Sequence, residues 1–202
     1  MRMRNPKDKD EVLASCDFYL DEDLFSNDNP IHMEIGMGKG DFILNMALTY
    51  PDINFIGVEK YSAVAVYAIK KIREYDLSNL KILVMDAVDL PEYLNGKIDT
   101  LYLNFSDPWP KAKHEKRRLT HENYLKVYDR LFDKKEKIVL KTDNRDFFLY
   151  SKESLLNYGY QIIKESDNLH KEDIFNIMTE YERKFSNLGV KINYLKVEKD
   201  NN

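Results

Sequence analysis

Gly36, Gly38 and Gly40 alternate in EIGMGKG, a spacing that lets a ligand approach the backbone where a strand turns into a helix and leaves helix N-terminal N–H groups facing it. A tight turn would use the same residues, so the glycines alone decide little. The dinucleotide fingerprint is GxGxxG, whereas the spacing here is GxGxG. Glu34 stands two residues before the first glycine, where its charge opposes a pyrophosphate and suits a cation. S-adenosylmethionine is such a ligand, with a sulfonium, an amino group and no phosphate. Glu59 follows about twenty residues after the glycines, the position from which an acid accepts hydrogen bonds from ribose hydroxyls in nucleotide-binding sheets. Asp86 is placed to meet the adenine edge and equally to cap a helix.

A second stretch, NFSDPWPKAKHEKRRLT over 104–120, sets Asp107 and the only tryptophan, Trp109, before a dense run of cations. Lys111, Lys113, Lys116, Arg117 and Arg118 fall within eight residues of a chain whose net charge is -4. On an acidic body such a one-signed strip points to phosphates, and its binding is expected to weaken with salt. Asp107 before Pro108 also reads as a turn former. Trp109 reads as core or as a platform for an extruded base.

The elements that must position these residues alternate. Strands are expected at 31–36, 54–59, 80–85, 99–105 and 137–142. Helices are expected at 41–50, 61–75, 122–132 and 147–158, with a short one over 86–94 cut by Pro91. After Gly159 the pattern changes to a closing pair of strands at 160–166 and 191–198 around a helix over 179–189. Such alternation implies a parallel sheet covered on both faces, with ligands beyond the carboxyl ends of its strands. The candidate residues all fall just there. Residues 1–30 read as an N-terminal arm and 31–202 as one domain.

With 43% hydrophobic residues in 202, the chain can bury one substantial core. No apolar run approaches the ~20 residues of a spanning helix, and the first twenty residues hold no signal-peptide core, so a cytoplasmic protein without a membrane partner is expected. Cys16 is the single cysteine, and the four histidines show no metal-ligand spacing beside it, so no metal is expected.

In this order EIGMGKG, GVEKY, LNFSDPWPKAKHEKRRLT, KTDNRDFF and IMTEYERKF closely resemble the bacterial tRNA (guanine-N7)-methyltransferases, over about residues 31–185. The family pattern often has proline where Ser106 stands and arginine where Lys113 stands, departures that leave acid and charge unchanged. The resemblance implies the class I methyltransferase fold: α/β, Rossmann-like, a seven-stranded mostly parallel sheet with the last strand antiparallel and helices on both faces. It implies S-adenosyl-L-methionine as cofactor and tRNA as partner, the target being the guanine at position 46 of the variable loop, with the enzyme a monomer or homodimer. By matching motif positions, Glu34, Gly36, Gly38, Gly40, Glu59, Asp86 and Asp107 would form the cofactor site. Lys111, Asp143, Thr179, Glu180, Tyr181 and Glu182 would face the substrate, and Lys113, His114, Lys116, Arg117 and Arg118 the RNA.

N7 of guanine presents a free lone pair, so its methylation requires no general base. Asp107 is the expected catalytic residue, orienting guanine and stabilising positive charge as it arrives on the purine. Asp143 would accept from guanine N1 and N2. TEYE at 179–182 also spells a capping box, and both roles are compatible. Three alternatives remain at this level. An amino-group methyltransferase would read DPWP as a variant of DPPY, but Trp109 interrupts the prolines. A dehydrogenase is disfavoured by GxGxG and Glu34. A non-catalytic RNA-binding protein leaves the ordered acids unexplained.

Overall fold

The structure is a computed structural model that describes residues 6–14 and 24–200; MRMR at 1–4 and Cys16 lie outside the described residues. The strands β1 (Ile31–Ile35), β2 (Asn54–Val58), β3 (Leu80–Leu83), β4 (Thr100–Asn104), β5 (Lys135–Thr142), β6 (Gln161–Ser166) and β7 (Asn193–Asp200) form one sheet in the order β3-β2-β1-β4-β5-β7-β6. β7 runs antiparallel to both its neighbours, and every other pairing is parallel. This is the expected seven-stranded α/β sheet.

The period-2 alternation of strand side chains divides the core in two. Met33, Ile35, Ile56 and Val58 pack on one face under α4 (Pro91–Leu94), α5 (Glu122–Tyr128) and α6 (Arg145–Asn157). Phe55 and Leu80 pack on the other under α1 (Lys9–Ala14), α2 (Asp41–Thr49) and α3 (Ser62–Ile72). The seventh helix, α7 (Glu180–Ser186), follows a long return from β6. Chain order reverses between β1 and β4, which opens a crevice beyond their carboxyl ends.

Gly40 shows why the glycine turn also serves packing. Its φ is 75°, and a Cβ there would lie 3.0 Å from the Ala68 Cβ of α3. Gly40→Ala is therefore expected to cost about 2–3 kcal/mol, combining backbone strain with overpacking, measured as a lowered midpoint in urea.

The boundaries differ from expectation for local reasons. Pro91 does not cut a helix. A 3-10 turn over Ala87–Asp89 precedes it, and Pro91 opens α4 at a position that needs no N–H. α5 stops at Tyr128 rather than 132, because the chain turns there to bury Leu131 and Phe132. α6 starts two residues early, since the Asn144 side chain caps it by accepting from the Phe147 N–H at 2.9 Å. In the N-terminal segment α1 lies on α3: Val12 is buried, and its carbonyl accepts from Arg73 at 3.2 Å. No described helix is long and apolar enough to cross a membrane.

Candidate active site

The residues at the strand ends converge on a cavity of about 560 Å³, within the range of small-molecule sites. Gly36 and Glu59 come from the ends of β1 and β2, Asp86 from beyond β3, and Phe105, Ser106 and Asp107 from beyond β4. Val58, Met85 and Leu119 supply apolar wall. A smaller cavity of about 200 Å³ shares Gly36 and Phe105 with it and reaches Glu34, Asn104, Thr179 and Tyr181.

Glu59 holds the glycine turn. Its carboxylate accepts from the Gly38 N–H at 3.1 Å and the Tyr61 N–H at 2.9 Å, and lone pairs remain for a ligand. Burial raises its pKa, while those N–H groups lower it. Asp86 caps the 3-10 turn by accepting from Val88 at 3.4 Å and pairs with Lys60. Gly36 and Gly38 adopt φ of 79° and 58°, and a Cβ on either would meet open space.

Glu34 is 2% exposed. Its Oε1 accepts from Asn104 at 2.8 Å, and its Oε2 is buried with no hydrogen-bond partner among the described residues. Burial pushes its pKa up to about 7, against the pull of Asn104 and Lys141. The Asn104 Oδ1 and Ser106 Oγ nearby are likewise buried without partners. Unpaired buried polar atoms are costly and rare in a folded protein, so their clustering at these strand ends marks a place for a polar ligand. A cation meets the demand of Glu34, and the acids at Glu59, Asp86 and Asp107 suit ribose and amine donors. The donor set thus fits S-adenosylmethionine.

The loop after β4 is more ordered than its sequence implies. Phe105 and Trp109 adopt positive φ of 52° and 41°, and Ala112–Arg117 form a 3-10 helix. Trp109 stacks on His114 with centroids 5.7 Å apart, and the Arg117 guanidinium lies 4.9 Å over its ring. Both contacts tie Trp109 to its own loop. Arg118, expected on RNA, instead turns back. It donates to the Pro108 and Trp109 carbonyls at 3.1 Å each and lies 4.1 Å over Tyr150. Lys111, Lys113 and Lys116 are exposed, and no ion pair holds them among the described residues.

Against Phe105, α7 presents its first turn. The Tyr181 hydroxyl donates to Asp143 Oδ2 at 2.9 Å, and burial with that carboxylate raises the Tyr181 pKa to about 12. The Tyr181 ring lies between Phe105 at 5.0 Å and Phe185 at 4.2 Å. Glu180 pairs with Lys39 at 3.1 Å through both oxygens. Thr179 and Glu182 form the capping box.

Glu182, expected to face substrate, does not. It is fully buried and accepts from Lys141 at 2.7 Å and Asn176 at 2.6 Å. Lys141 escaped the sequence reading altogether. Its signal was present in KIVLKT, since a lysine in a strand covered on both faces must find a buried partner.

A glycine turn at β1 without a phosphate-binding spacing, acids at the next strand ends and a β7 inserted antiparallel between β5 and β6 define a class I S-adenosylmethionine-dependent methyltransferase. Two solved structures share the architecture. An antibiotic-related methyltransferase superposes with a TM-score of 0.62 at 22% identity, over 95% of this chain and 94% of that one. A SAM-dependent methyltransferase from Aquifex aeolicus gives 0.61 at 12%, over 95% and 89%. The family model described as "Putative methyltransferase" matches residues 28–195. The tRNA (guanine-N(7)-)-methyltransferase of Geobacillus thermodenitrificans (strain NG80-2) is 47% identical over 204 residues, 95% of this chain and 94% of that protein. The chain belongs to the tRNA (guanine-N7)-methyltransferase family.

Proposed function

We propose that this chain methylates N7 of a guanine in tRNA, at position 46 of the variable loop. The observation that carries this reading is the position of Asp107, on a braced turn between the acid-lined cavity and the unpaired lysines, in a chain 47% identical to a tRNA (guanine-N(7)-)-methyltransferase. Glu34, Glu59 and Asp86 would hold S-adenosylmethionine, which when bound supplies an electrophilic methyl group on a positively charged sulfur. The chain's own part is orientation and electrostatics. N7 needs no deprotonation, so no side chain must act as a base. Asp107 offers negative charge where the purine becomes cationic. Asp143, already accepting from Tyr181, keeps lone pairs for the guanine N1 and N2 donors. Thr179 spends its oxygen as an acceptor for the Glu182 N–H at 2.9 Å and keeps its O–H to donate. Lys111, Lys113 and Lys116 would take phosphates.

The test is incubation with labelled S-adenosylmethionine and an unmodified tRNA transcript, followed by chemical cleavage at 7-methylguanosine. A single cleavage at position 46 is expected; methyl groups on an exocyclic amine or on another nucleotide would overturn the reading.

Glu34 also predicts a pH dependence. With its pKa near 7 in the free protein, it must lose a proton to meet a cation. Cofactor affinity is therefore expected to rise about tenfold from pH 6 to 8 and then level off, read by calorimetry. The free protein responds with the opposite sign. A carboxyl raised above its unfolded value stabilises the fold fully below about pH 4.5, and that contribution is lost as pH rises to about 7.

A further inference from the structure

We propose that Lys141 is a positioning residue for methyl transfer, holding the first turn of α7 in register with the cofactor carboxylate Glu34. This rests on the methyltransferase reading of the site but not on the identity of the RNA.

The ammonium spends its three donors on the segment that leads into α7. It donates to Glu182 Oε2 at 2.7 Å, to the Ile177 carbonyl at 3.0 Å and to Asn176 Oδ1 at 3.1 Å. The side chains of Lys141 and Glu182 are 3% and 0% exposed. Glu182 is engaged from three further sides, by Asn176 at 2.6 Å, by His170 Nε2 at 3.1 Å and, as the capping box, by the Thr179 N–H at 3.4 Å. Residues 176–182 are thus clamped to β5, the strand that also delivers Asp143. Tyr181, one residue before Glu182, reaches Asp143 from the exposed side of the same clamp.

The same ammonium acts on the cofactor side. It lies 4.9 Å over the Phe42 ring of α2, and its charge lowers the pKa of Glu34. Asn104 joins it in favouring the charged carboxylate, while Glu59 and Asp41 oppose it. Lys141 therefore hydrogen-bonds one buried carboxylate, Glu182, and acts through its charge on a second, Glu34. Loss of the cation would leave the Glu182 carboxylate buried without its ammonium partner, and replacing both residues by apolar ones would relieve that cost. Neither change would restore the bonds to Asn176 and Ile177. Stability and positioning are therefore separable.

The experiment compares wild type, Lys141→Met and the double variant Lys141→Met with Glu182→Met. Thermal melts are expected to fall for the single variant and recover in the double. The double variant is nonetheless expected to lose about 10²-fold in kcat/KM for tRNA, and the pH midpoint of cofactor binding is expected to move upward in both variants, because Glu34 has lost its neighbouring cation. A double variant with wild-type kcat/KM and an unmoved midpoint would overturn the proposal. Hydrogen exchange on the wild type needs no variant. Cofactor is expected to slow exchange across the amides of 181–186, and unchanged exchange there would also count against the proposal. Neither cofactor measurement involves RNA, so a wrong assignment of the RNA target leaves both decisive.

Discussion

Asp107→Ala is expected to reduce the single-turnover rate of methyl transfer by about 10³-fold while leaving the melting temperature within a degree or two of wild type. The side chain is exposed at the turn after β4 and takes part in no hydrogen bond or ion pair among the described residues, so its removal orphans no buried partner. The backbone turn is held by Arg118, and its geometry survives. In the proposed role, what is lost is a preorganised negative charge beside the purine, an effect of about 3–4 kcal/mol in comparable sites. Asp107→Asn separates the two parts of the role, since it retains hydrogen bonding and loses the charge. It is expected to recover less than a tenth of the lost rate. Cofactor affinity measured by calorimetry should fall far less than the rate, because Glu34, Glu59 and Asp86 remain to hold the ligand. Turnover at the wild-type rate by Asp107→Ala would remove this residue from the mechanism.

The other large effect concerns the basic strip. Replacing Lys111, Lys113 and Lys116 together with Gln is expected to weaken tRNA binding by about 10²–10³-fold at low salt and to reduce the slope of log K against log salt by about 3. These three side chains are exposed and hold no ion pair among the described residues, so the change should leave the fold and the rate with saturating tRNA nearly intact. Arg118 is left out deliberately, because its guanidinium belongs to the turn that carries Asp107. An unaltered salt slope would show that the strip does not meet phosphate.

The sheet and its ligand edge were legible in the chain because hydrophobic periodicity is a local property. The runs IHMEIG, NFIGVE and LKILVM alternate with helical spacing, and the glycines and acids that follow each run mark where a parallel sheet opens to ligand. Helix ends were less legible. Asn144 and Pro91 act through side-chain capping and a missing N–H, effects decided by one or two residues. The charge of the strip over 111–118 was likewise plain from composition, but which cations point outward was not.

By itself, then, the sequence determined the alternating elements, the strand-end placement of Glu34, Glu59, Asp86 and Asp107, and the cationic character of the loop, since each follows from residue type and spacing along the chain. Only the tertiary structure decided that Arg118 folds back onto the Pro108 and Trp109 carbonyls, that Glu182 faces the core, and that Lys141 is buried against it. Lys141 and Glu182 are 41 residues apart. Their pairing is forced by the cost of burying either charge alone, and that cost is set by packing between β5 and the return to α7, which no local pattern encodes.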